Sequence, residues 1–280
     1  GGGIAVVAQS PENYPKNVEA RLFATDLNYP AAISSNNASQ NGGGVYVKSG
    51  FDASAGHAIY AQFCAAGFRI DGNVAADGAA IYSDTIDGAI GQSVFHYGGE
   101  IYVNSTKCQD SNYATTLASL GAVDCAPGVT CNTVNDNGSR DASNQPTSGA
   151  TISLHTGAFF DIERFQMRFN DGGSAFDAFS AVNLSSLLST CLIADNSATG
   201  ELFNLQGYDP EIYNCTIANN TIGGASVFYA IVPSGSYNLR NIIIDQPGVV
   251  TRNSGSALNG EGILSVDSTF ASKVGSPTFV

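Results

Sequence analysis

Apolar and polar residues alternate along this chain in runs of only a few residues, and each run closes on an amide side chain. The clearest copies are Leu187 to Asn196, Glu211 to Asn220 and Tyr237 to Gln246. Aligned on one another, they place Ile193, Ile217 and Ile243 at one position, spaced by 24 and 26 residues, with Asn196, Asn220 and Gln246 three residues later. Alternation predicts strands with one face buried. A period near 24 predicts that each copy is one coil of a β-solenoid, because a single coil cannot bury its apolar face without neighbours.

The apolar-x-x-Asn signature also appears at Ile70 to Asn73, Val134 to Asn137 and Met167 to Asn170. The 97 residues from Ile70 to Met167 equal four periods of just over 24. Ile33 to Asn36 carries the same signature. Identical side chains on stacked strands lie about 4.8 Å apart, so Asn73, Asn137, Asn170, Asn196, Asn220 and Gln246 are expected to form a hydrogen-bonded ladder. A second pattern, a small or turn residue followed by a β-branched residue and Tyr, occurs at Gly44 to Tyr46, Ala80 to Tyr82 and Glu100 to Tyr102. It predicts tight turns that restart a strand. Phe68 and Ile70 are expected to point in, Arg69 and Asp71 out.

The periodicity lapses between 104 and 148, where Ser, Asn, Asp and Gly dominate. That stretch reads as a loop-rich insertion holding one rung, Cys131 to Asn137. Loops on a rigid scaffold are common binding sites; a cysteine-tethered loop without function fits equally. The remainder reads as one domain over 1–280, with roughly nine or ten coils rising about 4.8 Å each. Neither end carries a capping helix, so the chain is expected to be a section of a longer protein or to associate head to tail.

Composition narrows the function. Of 280 residues only 12% are charged, with 32 Gly, one Met and no Trp. The net charge of -13 reflects a shortage of Lys and Arg, 11 in all. A nucleic-acid partner would require a basic stripe, which is absent, and no apolar run approaches the roughly 18 residues of a membrane span. Six cysteines are too few for a disulfide scaffold. Cys108, Cys125 and Cys131 in the insertion suggest a bridge and an oxidising compartment. Cys191 and Cys215 align two residues before Ile193 and Ile217 and read as stacked core hydrophobes, as does Cys64.

The rung Asn214 to Asn220, the Gly42 to Tyr46 turn and the closing Val266 to Phe270 with Gly275 to Val280 resemble the right-handed parallel β-helix repeats of bacterial surface and secreted proteins. They are similar, more loosely, to polymorphic outer-membrane and autotransporter passengers, with Ile, Met or Val in place of the Phe of the FxxN rung. The resemblance implies an all-β, right-handed single-stranded parallel β-helix that is exported to the cell surface or beyond. The implied role is adhesion, assembly or binding of polysaccharide or surface protein, without catalysis.

The same architecture carries polysaccharide lyases and hydrolases, so fold alone does not decide. The hydrolase signature is missing: Gly56-His57 is the nearest match to Gly-His-Gly, and there is no Asp-Asp pair for acid and base. A lyase acting on uronate would need a base and neutralising cations. The best candidates are Asp161, Glu163, Arg164 and Arg168, with Asp171 and the nearby His155, Arg164 and Arg168 being expected on one outer face. A surface charge network explains the same residues. No cofactor is expected. Ca²⁺ is conceivable where Asn135 to Asn137 or Asn170 and Asp171 converge, although an amide ladder accounts for these residues without metal.

Overall fold

The computed structural model describes residues 3–8, 18–52, 57–84, 86–90, 93–97, 99–108, 111–119, 124–126, 129–155, 158–224, 226–231, 236–249, 251–253, 257–269 and 278–279. Gly1 and Gly2 of the opening run and Gly275 to Pro277 of the closing motif lie outside them. The protein is all-β, with large parallel sheets compatible with a β-solenoid.

Its strands form three parallel stacks that the chain visits in cyclic order. The second stack runs from Val18–Phe23 through Ala61–Ala66 and Glu100–Val103 to 159–163 and onward. The third follows through Ala31–Ser34, Phe68–Asp71, Thr133–Asn135 and 165–168. The chain then reaches the first stack, through Ile4–Val7, Val45–Lys48, Ile81–Asp84, Ala150–Leu154 and 174–179. A short parallel sheet from Val74–Ala75 to Thr221–Ile222 fills the step between the third and first stacks.

Period-2 alternation makes the core. Val45, Ile81, Ile152, Phe176, Phe203 and Phe228 lie in one register column, all inward and all at or below 1% exposure. Phe160 from the second stack packs on Phe176, ring centroids 5.0 Å apart, and Phe203 stacks on Phe228 at 4.7 Å. Each buried Phe is worth roughly 1.5–3 kcal/mol of transfer free energy.

The ladder amides follow a left-handed residue. Ser35, Gly72, Asp136, Phe169, Asp195 and Asn219 all have φ between 52 and 66. This kink turns the next side chain inward, which is why the signature is apolar-x-x-Asn rather than strict alternation. From Asn36 to Asn196 each amide donates through Nδ2 to the Oδ1 of the next rung, at 2.9–3.0 Å. The same Oδ1 accepts the backbone N–H of the preceding rung's Asn. Gln246 closes the described run by accepting from the N–H of Asn220.

Three expectations are corrected. Ile217 pairs with Ile244, not Ile243, because the pass ending in Gln246 lacks the left-handed residue and slips by one. Ile243 is therefore 44% exposed while Ile242 and Ile244 are buried, and the longer Gln side chain makes up the missing residue. Glu100 to Tyr102 belongs to the second stack, not to the column of Tyr46 and Tyr82. The insertion is more ordered than its composition suggests, with a helix at Ser111–Ser119 and a hairpin of Asp124–Ala126 with Val129–Thr130.

The cysteines are also not free. Cys64 is bonded to Cys108 and Cys191 to Cys215, and Cys131 is disulfide-bonded as well. The left-handed Gly67 (φ 62) resets the alternation, so Cys64 faces away from the core that holds Phe63 and Phe68. It lies instead beneath the helix with Tyr102, Cys108 and Leu117. The disulfides are consistent with an extracellular protein, and among the described residues no helix is long and apolar enough to cross a membrane.

Candidate functional site

The sequence candidates are dispersed over three environments. Asp161 is buried on the second stack, where its Oδ2 accepts a 2.9 Å hydrogen bond from Ser105 and pairs with Lys107 at 3.4 Å. Glu163 accepts from Ser189, and burial with the neighbouring Asp161 pushes its carboxyl upward. Arg164 sits at the left-handed corner itself (φ 49) and donates to the carbonyls of Leu117 and Asn104. It fastens the helical insertion to the stack. Arg168, on the third stack, grips Asp195 through Nε and Nη2 and stacks on Phe169. Asp161 and Glu163 are thus neighbours on the second stack, whereas Arg164 and Arg168 are each committed to partners elsewhere.

The positions considered for Ca²⁺ are likewise engaged. Asn137 and Asn170 belong to the ladder, the Asn135 Oδ1 accepts from the N–H of Arg168, and Asp171 pairs with Arg140. Among the described residues no group of three or more His, Cys, Asp and Glu is placed to hold a metal ion.

His155 lies elsewhere, on the outer face of the first stack, and there the structure gathers groups from successive passes. Register places Tyr46, Tyr82, Ser153, Asp177 and Asn204 in one outward column. The Tyr46 and Tyr82 rings are parallel, 5.7 Å apart, and the His155 ring leans on Tyr82 at 4.8 Å. Asp77 enters from the turn before Ile81–Asp84. Its Oδ1 accepts from the N–H groups of Gly78 (2.9 Å) and Ala150 (2.8 Å), and its Oδ2 accepts from Ser153 Oγ (2.9 Å) and faces His155 Nε2 at 3.5 Å. With Asp177, Leu154 and the half-exposed ring of Phe179, these residues line a cavity of about 260 Å³.

The two carboxylates are driven apart. Burial raises Asp77, but His155, the Ala150 amide and Ser153 outweigh it and hold the group below its ordinary value. Asp177 is pushed up to about 6, first by burial and then by the charge of Asp77, against one 3.3 Å hydrogen bond from Asn204. The Asp77 hydrogen bond raises His155, with burial opposing it. Near pH 5.5 the cavity thus presents an imidazolium, a fixed carboxylate and a carboxylic acid on the edge of ionising.

What this arrangement can do is set by which lone pairs remain. A carboxylate offers about four acceptor sites, and Asp77 has three hydrogen bonds and the imidazole on its own. It orients His155 and is spent as a base. Ser153 is not an activated nucleophile either: its hydroxyl donates to Asp77, and the same Nε2 faces both groups, so no relay exists through the two ring nitrogens. His155, Asp177 and Phe179 remain as the groups free to meet a ligand. Asp77 and Asp177 escaped the sequence reading because they stand 100 residues apart and outside any motif. Only the register brings them together.

These features define an all-β protein of stacked parallel sheets carrying one imidazole and two carboxylates of opposite character in a small surface cavity. No known protein family, curated protein or solved structure matches the chain.

Proposed function

We propose that the protein is an exported, non-catalytic parallel β-solenoid, right-handed and of roughly nine or ten coils, that binds a polysaccharide on the outer face of its first stack. The observation that carries this reading is the cavity in which the exposed Phe179 ring stands beside His155 and Asp177. An aromatic face with adjacent donors and acceptors suits a sugar ring, whose two faces are apolar and whose rim is hydroxyl. The cavity is small against the roughly 300–1,000 Å³ of ordinary ligand sites, as suits one ring of a chain lying across the surface. Further outward groups, Asn204 and Gln206, continue the face on the next pass and are linked by a 3.0 Å hydrogen bond.

Binding is favoured over cleavage because glycoside hydrolysis needs a free carboxylate opposite the acid. Asp177 qualifies as the acid, but Asp77 is saturated. The resemblance to bacterial β-helix proteins supports a surface or secreted location, and the disulfides agree with it. The test is retention of the purified chain on immobilised neutral and uronate polysaccharides, with reducing ends assayed in parallel. Retention lost in Phe179→Ala and His155→Gln supports the proposal. Chain cleavage abolished by Asp177→Asn would replace it with an enzymatic role. Light scattering over a wide concentration range tests the accompanying expectation of head-to-tail association.

A further inference from the structure

A second cleft, of about 610 Å³, lies on the third stack and shares no residue with the Phe179 cavity. One wall is the turn ending in Tyr29 and the other is the strand Val129–Thr130, with Ala32, Arg69 and Thr133 in one register column along the floor. Both walls are braced. Asp26 accepts from the backbone and side-chain amides of Asn28 at 2.9 and 2.8 Å, and its carbonyl accepts from Tyr29. The opposite wall is tied into its hairpin and followed by the disulfide-bonded Cys131.

Tyr29 is 76% exposed, the most exposed of the large apolar side chains described. Its ring stands in solvent at the close of a braced turn. Arg69 stands on the floor below it. Its Nε donates to Asp71 Oδ2 at 2.9 Å, and Asp71 is otherwise engaged by Thr133 Oγ1 and the N–H of Asn135. Among the other arginines, Arg21 and Arg168 each grip a carboxylate through two nitrogens, Arg140 pairs with Asp171, and Arg164 is spent on carbonyls. Arg69 is held by one nitrogen, so its Nη edge is oriented and has no partner among the described residues. A guanidinium edge of this kind matches a planar or tetrahedral oxyanion.

We infer that this cleft binds an acidic sugar unit, carboxylated or sulfated, with the ring stacked on Tyr29, the anion on the Nη edge of Arg69 and hydroxyls met by Asn28 and Asn135. The lining mixes apolar and polar groups, as a sugar ring with its hydroxyls requires, and Arg69, the one cation among the residues that line the cleft, sets the anion's place. Asp71 holds Arg69 in position without contacting the ligand.

The experiment is calorimetric titration of the whole chain with three probes at low salt: trigalacturonate, a sulfated disaccharide and a neutral trisaccharide. One or both acidic probes should bind about ten-fold or more tighter than the neutral one, the range expected of one charge-assisted pair. Which of the two binds separates carboxylate from sulfate. Arg69→Gln should abolish that preference, Arg69→Lys should retain part of it, and Tyr29→Ala should weaken all probes, with far-UV circular dichroism unchanged in each. Equal affinity for neutral and acidic probes, no binding of either acid, or acidic binding that survives Arg69→Gln would overturn the inference. Phe179→Ala leaves this preference intact if the two sites are distinct, so failure here and failure of the polysaccharide-binding face are read separately.

Discussion

Replacing Asn196 by Ala tests the physical account of the ladder. The Asn196 side chain, 2% exposed, makes four hydrogen bonds. Its Nδ2 donates to Asn220 Oδ1 and to the Met167 carbonyl, both at 2.9 Å, and its Oδ1 accepts from the Asn170 backbone N–H at 3.1 Å and from Asn170 Nδ2 at 2.9 Å. Truncation leaves the Asn170 N–H without its acceptor in a space that water does not reach, at about 1–3 kcal/mol. Each remaining bond lost adds about 1 kcal/mol or somewhat less, since Asn170 Nδ2 keeps the Val134 carbonyl and Asn220 Oδ1 keeps the Asn196 N–H. The expected cost is about 3–5 kcal/mol. Asn36 supplies the control, because it stands at the end of the described ladder, is only part-buried and donates one side-chain bond to Asn73. Asn36→Ala should cost about 1 kcal/mol. Urea unfolding followed by circular dichroism gives the two differences, and amide exchange at Asn170 reports the local opening that a stack can undergo without unfolding throughout. Equal costs at the two positions, or an Asn170 amide as protected in Asn196→Ala as before, would refute the reasoning.

Other consequences are open to direct measurement. Asp177 binds its proton more tightly folded than unfolded, and so does His155, so both contribute stability that is present below their unfolded values and lost as pH rises through the folded ones. With Asp177 near 6 against an ordinary 3.8, stability should fall between about pH 4 and 6.5 by on the order of 2–3 kcal/mol, and Asp177→Asn should flatten that slope in denaturant titrations. Asp77 acts in the opposite sense at lower pH, where its protonation should loosen His155 and shift that ring's NMR resonances. By loop closure, removing the Cys191–Cys215 bridge, separation 24, should cost about 3 kcal/mol, and removing Cys64–Cys108, separation 44, about 4 kcal/mol. Double Ser variants compared by urea unfolding check that order. Phe169 is 53% exposed in a left-handed conformation where neighbouring passes have Asp136, Asp195 and Asn219. Phe169→Asn should therefore be neutral or stabilising by up to about 1 kcal/mol. A loss above about 2 kcal/mol would mean that the Arg168 stack outweighs the backbone strain.

The repeat was legible because every pass must solve the same problem in the same place. A left-handed residue followed by an inward amide leaves a fixed trace, and Ile193 opposite Ile217 can be aligned from sequence alone. The trace fails where a pass deviates by one residue. At Ile243 the deletion is masked by three consecutive isoleucines, and only the backbone decides that the first and third are buried. At Cys64 a glycine between two apolar runs reverses which face is inward, and alternation carried across Gly67 gives the wrong side. Such corners are set by φ, and Arg164 and Thr190 take the same left-handed value as Asn214 and Asn241 without any residue preference to announce it.

The candidate site is illegible for a related reason. A ligand crossing parallel strands meets one or two side chains from each pass, so Asp77, His155 and Asp177 enter the cavity one pass at a time, and the intervals between them include the whole insertion. Local sequence records which residues face outward on each strand, but not which pass lies next to which until the 104–148 excursion is assigned. Once Tyr82 is set opposite Ser153 and Ser153 opposite Asp177, the chemistry follows from elementary rules. The carboxylate given four neighbours stays charged and holds the imidazole, and the one given a single amide keeps its proton to about pH 6. The tyrosine cleft arises in the same way: Arg69 is unremarkable on its own strand, and becomes a binding group because Asp71 beside it is already satisfied by Thr133 and Asn135 from the next pass.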